Sequence, residues 1–206
     1  MAKLSVELER RFWEEDCPPQ VTLASILELA GERVFGFLFV LLSLPSALPI
    51  PAPGYSIPFG VILFVLAVQL IWGAKVPWLP KRWLSRGIQL QRVQGFLKAG
   101  IPWLKRIEVL SKPRLTWVCT TPIGRVIIGI AISLMAISML IPIPGTNTLP
   151  AIGIFVTGFG LLDDDGAISL SGLVLCLMGL TLTSLILLFG YEAVKAAIGA
   201  IRHWVF

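Results

Sequence analysis

Histidine occurs once, at position 203, and the three cysteines, Cys17, Cys119 and Cys176, are odd in number with no C-x-x-C spacing. The cysteine pattern points to neither a disulfide framework nor a zinc site. The lone histidine has no Ser, His and Asp set or metal-ligand spacing around it, so no cofactor and no catalytic residue is expected. Charge is scarce too: Asp, Glu, Lys and Arg make up 14% of 206 residues. The first thirty residues lack an uninterrupted apolar core of the signal-peptide kind, so the chain is expected to keep its own N-terminus.

What replaces charge is apolar surface. Apolar residues reach 56% and mean hydropathy is +0.85, the composition of an integral membrane protein. The net charge of +5 is unevenly spread. Residues 75–114 hold ten basic side chains against Glu108 alone, a local balance of +9. Lys and Arg near membrane ends stay on the cytoplasmic side, so this connector is expected to face the cytoplasm of a multi-pass membrane protein. That orientation role is preferred over nucleic acid as a partner. Within the connector, Val93, Phe96, Leu97, Ile101, Leu104 and Ile107 recur at near-helical spacing beside Trp83 and Trp103. An interfacial helix on anionic lipid headgroups fits that pattern, as generic anchoring or as recognition of a particular headgroup.

Two proline clusters stand out: Pro49-Ile50-Pro51-Ala52-Pro53-Gly54-Tyr55-Ser56-Ile57-Pro58 and Ile141-Pro142-Ile143-Pro144-Gly145-Thr146-Asn147-Thr148-Leu149-Pro150. Each interrupts a hydrophobic stretch, because proline removes a helical donor and pushes the preceding residue out of the helical region. Arg33-Val34-Phe35-Gly36 and Arg125-Val126-Ile127-Ile128-Gly129 precede them at matching distances. The chain thus reads as an all-α membrane protein with two related helix–Pro/Gly turn–helix repeats. The expected layout is N-terminal cytoplasmic helices at 1–33, repeat 1 at 34–74, the basic connector at 75–124, repeat 2 at 125–166, a C-terminal transmembrane helix at 167–191 and a tail at 192–206. The N-terminal helix carries Leu4, Leu8 and Phe12, and a further helix starts at Thr22 or Ser25.

The arms are short. Val34–Ile50, Ile57–Gly73 and Leu149–Leu162 fall below about 20 residues, the length that crosses roughly 30 Å of hydrocarbon. Re-entrant half-helices meeting near the midplane and ordinary tilted helices with surface turns both fit. Ile168–Phe189 is long enough to cross, and its stripe of Gly172, Cys176, Gly179 and Thr183 is a helix-packing face, toward this chain or a second copy. A homodimer is expected, since broken backbone near lipid needs cover.

Leu48-Pro49-x-Pro51, Gln69, Pro77-Trp78-Leu79-Pro80, Pro142-x-Pro144-Gly145-x-Asn147-x-Leu149-Pro150-Ala151 and Asp165-Gly166 together resemble the ExoD family over about residues 20 to 190. These are bacterial membrane proteins associated with exopolysaccharide synthesis, so the resemblance implies a role in polysaccharide production or export without naming a reaction. The acidic run Asp163-Asp164-Asp165 departs from the family's pattern.

Read from the residues, the candidate solute or ion site comprises Pro51, Gly54, Tyr55, Ser56, Gln69, Pro144, Gly145, Asn147, Thr148 and Asp165. Hydroxyls and amides beside interrupted helices either complete a polar site or satisfy their own turns. Asp165 reads either as an intramembrane carboxylate on a proton path or as the cap of the last helix. A membrane-embedded enzyme is a third and weaker reading: Asp165-Gly166 resembles the aspartate motif of phosphatidyl alcohol transferases, but Leu162 stands where that motif needs an acid and the Ala-Arg pair is missing. A transporter-like or channel-like protein and a non-transporting scaffold of polysaccharide machinery both remain.

Overall fold

The computed structural model describes residues 20–22, 33–47, 56–78, 87–89, 114–141 and 147–190. Its helices are α1 (Val34–Ala47), α2 (Ser56–Ile71), α3 (Trp117–Thr120), α4 (Pro122–Leu140), α5 (Thr148–Leu162) and α6 (Gly166–Phe189). Two three-residue strands, β1 (Gln20–Thr22) and β2 (Gly87–Gln89), pair antiparallel with Val21 opposite Ile88. The described residues are otherwise helical, as the all-α reading expects, and Thr22 ends a strand where a helix start was one of two readings. The N-terminal helix, the Val93–Ile107 face and the Pro-Gly segments themselves lie outside the described residues.

Proline sets the helix limits. Pro58 and Pro150, counted with the breaks in the sequence, fall in the first turns of α2 and α5, where their missing N–H costs no helical bond. Pro122 opens α4 behind Thr121, whose Oγ1 accepts from Gly124 N at 3.2 Å. At about 1.5 Å per residue, α1, α2 and α5 reach only about 21, 24 and 22 Å. Only α4 and α6 among the described helices are long and apolar enough to cross a membrane.

The two hairpins, α1–α2 and α4–α5, exchange arms. α1 packs chiefly on α5 and α2 on α4, more extensively than either hairpin packs on itself. Gly36 meets Leu162 while Phe39 meets Gly158; Gly60 meets Ala136 and Leu140 while Gly129 meets Ala67 and Ile71. Both pairs are therefore antiparallel, and the hairpins stand side by side with both breaks at one end. α6 folds back along α5, from Gly160 against Ser169 to Pro150 against Gly179. The small-residue stripe of α6 is thus occupied within the chain: Gly172 on Thr157, Cys176 on Gly153, Gly179 on Met135 and Pro150, Thr183 on Ser138. It is not free to form a dimer interface.

The end opposite the breaks is a charged end. Among the described residues every charged side chain lies there: Arg33 before α1, Lys75 after α2, Arg114 and Arg125 around α3, and Asp163 to Asp165 between α5 and α6. Trp72, Trp78 and Trp117 share it, 80%, 73% and 60% exposed. Between the ends the outward faces are apolar, as in Ile57, Val61 and Val65 of α2, Ile127, Ile130, Leu134 and Ile137 of α4, and Val174, Leu177 and Met178 of α6. The buried faces carry hydroxyls too, with Ser43, Ser46, Ser138, Thr157, Ser169 and Thr183 each at most 5% exposed, while on the exposed side of α6 Ser171 and Thr181 donate to Ile168 O and Leu177 O of their own helix.

A Cβ at Gly36 would lie 2.7 Å from Leu162 Cα and 2.9 Å from Gly158 O, both backbone atoms that no rotamer change can move. Gly36→Leu should therefore separate α1 from α5 and destabilise the fold by about 3 kcal/mol, the upper range for overpacking. A fall in melting temperature of the purified protein checks this, with Gly73→Ala as the comparison: Gly73 has open space but a φ of +76°, so only backbone strain is expected there.

Candidate functional site

The break end is where helix starts converge. Asn147 occupies the N-cap position of α5 in a helical conformation, φ −75° and ψ −19°, and its side chain makes no capping bond. Its Nδ2 instead donates to Ser56 Oγ, at the first residue of α2, at 2.6 Å across 91 residues. The two hairpins are thereby joined where their breaks end. The amide oxygen, Asn147 Oδ1, is buried without a hydrogen-bond partner. So is Ser46 Oγ, on a residue 3% exposed in the last turn of α1. Ser46 lies seven residues beyond Phe39, two helical turns along the face that Phe39 presents to α5. Buried polar atoms without partners cost about 1–3 kcal/mol each; of the three among the described residues two lie at this end, and the third, Ser133 Oγ, lies inside α4. Ser43 differs, since its Oγ donates to Phe39 O at 2.6 Å.

The site residues expected from sequence divide between the two ends. Ser56 and Asn147 meet at the break end, where Thr148 opens α5, while Pro51, Gly54, Tyr55, Pro144 and Gly145 lie outside the described residues. Gln69 does not join them, because it sits thirteen residues further along α2, about 20 Å away at the charged end. There its side-chain amide binds the Trp78 backbone twice, accepting from Trp78 N and donating to Trp78 O at 3.2 Å. Its polarity serves that loop.

Asp165 is also at the charged end. It is the N-cap of α6 and 2% exposed, and its Oδ1 accepts from Ala167 N at 3.0 Å and Ile168 N at 3.2 Å. The capping alternative thus accounts for its burial. Asp164 turns the chain at φ +54°, a conformation aspartate tolerates better than most residues. Beside this turn Cys119 Sγ donates to Gly160 O at 3.5 Å and lies 3.3 Å from Ser169 Oγ. Burial pushes the Cys119 thiol above its ordinary value, partly offset by the Ser169 hydrogen bond, so it stays protonated. No group of three metal-ligating side chains occurs among the described residues.

Ser46 is not among the residues expected from sequence. The available signal was the spacing Gly36, Phe39, Ser43, Ser46, which puts two serines on one face of an apolar helix as it approaches a break.

The chain matches the family model described as "Exopolysaccharide synthesis, ExoD" over residues 4–185. It is 50% identical over 206 residues to an uncharacterized protein of Synechocystis sp. (strain ATCC 27184 / PCC 6803 / Kazusa), covering 100% of this chain and 97% of that protein. It is 31% identical over 190 residues to Protein ExoD of Rhizobium meliloti (strain 1021), covering 90% of this chain and 77% of that protein. No solved structure matches.

Replacing Asp165 separates a cap from an ionisable site. Asp165→Asn keeps a capping oxygen and should leave stability near that of the parent, whereas Asp165→Ala should cost about 1 kcal/mol. Thermal unfolding of the two variants checks this. Equal losses in both would show that the negative charge matters beyond the cap.

Proposed function

The chain belongs to the ExoD family, which ties it to exopolysaccharide synthesis, and from that premise we propose a multi-pass inner-membrane protein with a transporter-like or channel-like site where the two hairpins' breaks meet. The observation that carries the reading is the Asn147–Ser56 bond, flanked by the unpartnered Asn147 Oδ1 and Ser46 Oγ. Interrupted helices paired in two halves of a chain, with polar groups at their ends, are what a solute path in a membrane requires.

Membrane insertion is supported by the outward apolar faces, the two helices of crossing length and the separation of charge and tryptophan from the break end. The ends of the 75–114 connector, Lys75 and Arg114, both belong to the charged end, which makes that end cytoplasmic by the positive-inside rule. Thr183 of α6 meets Ser138, near the end of α4, at 2.8 Å, and stands about 25 Å along α6 from Gly166. Ser56 and Asn147, where α2 and α5 begin, then lie in the far leaflet rather than at the midplane, short of the end of α6.

A homodimer completes the proposal. Ile123, Ile127, Ile130, Leu134 and Ile137 form an exposed ridge on α4 with the alternating four-and-three spacing of a helix seam. This ridge replaces the α6 stripe as the interface. The scaffold alternative draws its support from the same charged end, which offers a +9 segment to cytoplasmic partners without calling on the breaks.

Asn147→Leu removes the bond between the hairpins and the open acceptor while keeping side-chain bulk. Exopolysaccharide output in a strain lacking the native protein should fall at least about tenfold, the effect of roughly 1.4 kcal/mol at a polar site, with expression and membrane fraction unchanged. Undiminished output would favour the scaffold.

A further inference from the structure

The loop that follows α2 is more tightly built than a connection at a bundle end requires. Trp72 N, Gly73 N and Ala74 N bond back to Val68 O, Leu70 O and Gln69 O at 3.1, 3.0 and 3.1 Å. Gly73 takes φ +76°, turning the chain where a side chain would be strained. Ala74 packs on the core and Pro77 is buried. The Gln69 amide then pairs with both backbone groups of Trp78, as a neighbouring strand would, and closes the loop. Trp72, Lys75, Val76 and Trp78 are held outward: two indoles and a valine at 80%, 73% and 69% exposure around one exposed ammonium.

Holding that much apolar surface outward makes sense against a partner that is apolar on one side and anionic on the other. Tryptophan settles at headgroup level, and each basic residue near an anionic leaflet adds about 1 kcal/mol. Lys75 also begins the +9 connector, so charge complementarity extends beyond the loop. We propose that the Trp72–Trp78 loop is a binding site for an anionic phospholipid, with Lys75 on the headgroup phosphate, the two indoles beside it, and Gln69 as the positioning residue. This inference rests on the membrane reading above and adds the partner at its cytoplasmic surface.

The test uses the full-length protein in detergent, with lipid binding counted by native mass spectrometry against phosphatidylglycerol and phosphatidylcholine. The parent should retain phosphatidylglycerol preferentially. Lys75→Gln, a change at an exposed position, should weaken that retention about fivefold, as expected for one lysine at an anionic surface. Gln69→Leu should lower the preference between the two headgroups, a readout that loss of packing alone would not move selectively. Equal retention of both lipids by the parent, or unchanged preference in Lys75→Gln, overturns the proposal. Displacement of the lipid by millimolar inorganic phosphate also overturns it, in favour of a free-phosphate site. Alkaline carbonate extraction of native membranes tests the underlying reading separately: release of the protein overturns membrane insertion, whereas retention without headgroup preference overturns only the lipid site.

Discussion

The fold depends on how closely backbone can approach backbone around α5. This helix offers Gly158 to α1 on one side and Gly153 and Gly160 to α6 on the other, so that its neighbours touch main chain rather than side chains. Where the outer faces are as apolar as the core, burial of apolar surface discriminates poorly between inside and outside, and close van der Waals contact and buried hydroxyl bonds hold helices together instead. Ser138 with Thr183, and Ser169 Oγ donating to Thr157 O at 3.3 Å, are bonds of that kind.

From this packing follows the position of the breaks. Because α1 is clamped antiparallel to α5, and α2 to α4, each hairpin is held by the other and both proline interruptions emerge at one end. Asn147 then reaches Ser56 instead of capping its own helix. The opposite end collects the charges, the exposed indoles and the capped turn into α6. One end is ionic and carries exposed indoles; the other is uncharged among the described residues, polar and incompletely hydrogen-bonded.

Much of this was legible in the sequence, for physical reasons. Clustered proline with glycine marks backbone that cannot continue a helix, whereas the single Pro45 and isolated glycines such as Gly36 stay inside helices, so the arms could be read from the clusters, as could the packing role of Gly172, Cys176, Gly179 and Thr183. Periodicity says less about which arm meets which. The exchange of arms rests on contacts between Gly36 and Leu162, and between Gly129 and Ala67, that no local pattern encodes. Gln69 misled because a polar residue on an apolar helix looks the same whether it faces a solute or, as here, the backbone of Trp78 nine residues on. Asp165 was readable either way, and its two N–H partners account for it as a cap. The two short strands had no visible signal in three-residue segments.

The claim at the centre of this account is that the two breaks meet at a junction on which function depends. Ser56→Cys and Asn147→Cys introduced together in a chain whose native cysteines are replaced by alanine test it most directly. Mild oxidation is predicted to link positions 56 and 147 within one chain, while output, already lowered by loss of the Asn147 amide, stays low and is not restored by reduction. Failure of the pair to link in a correctly folded protein, or full output with the link formed, would contradict it.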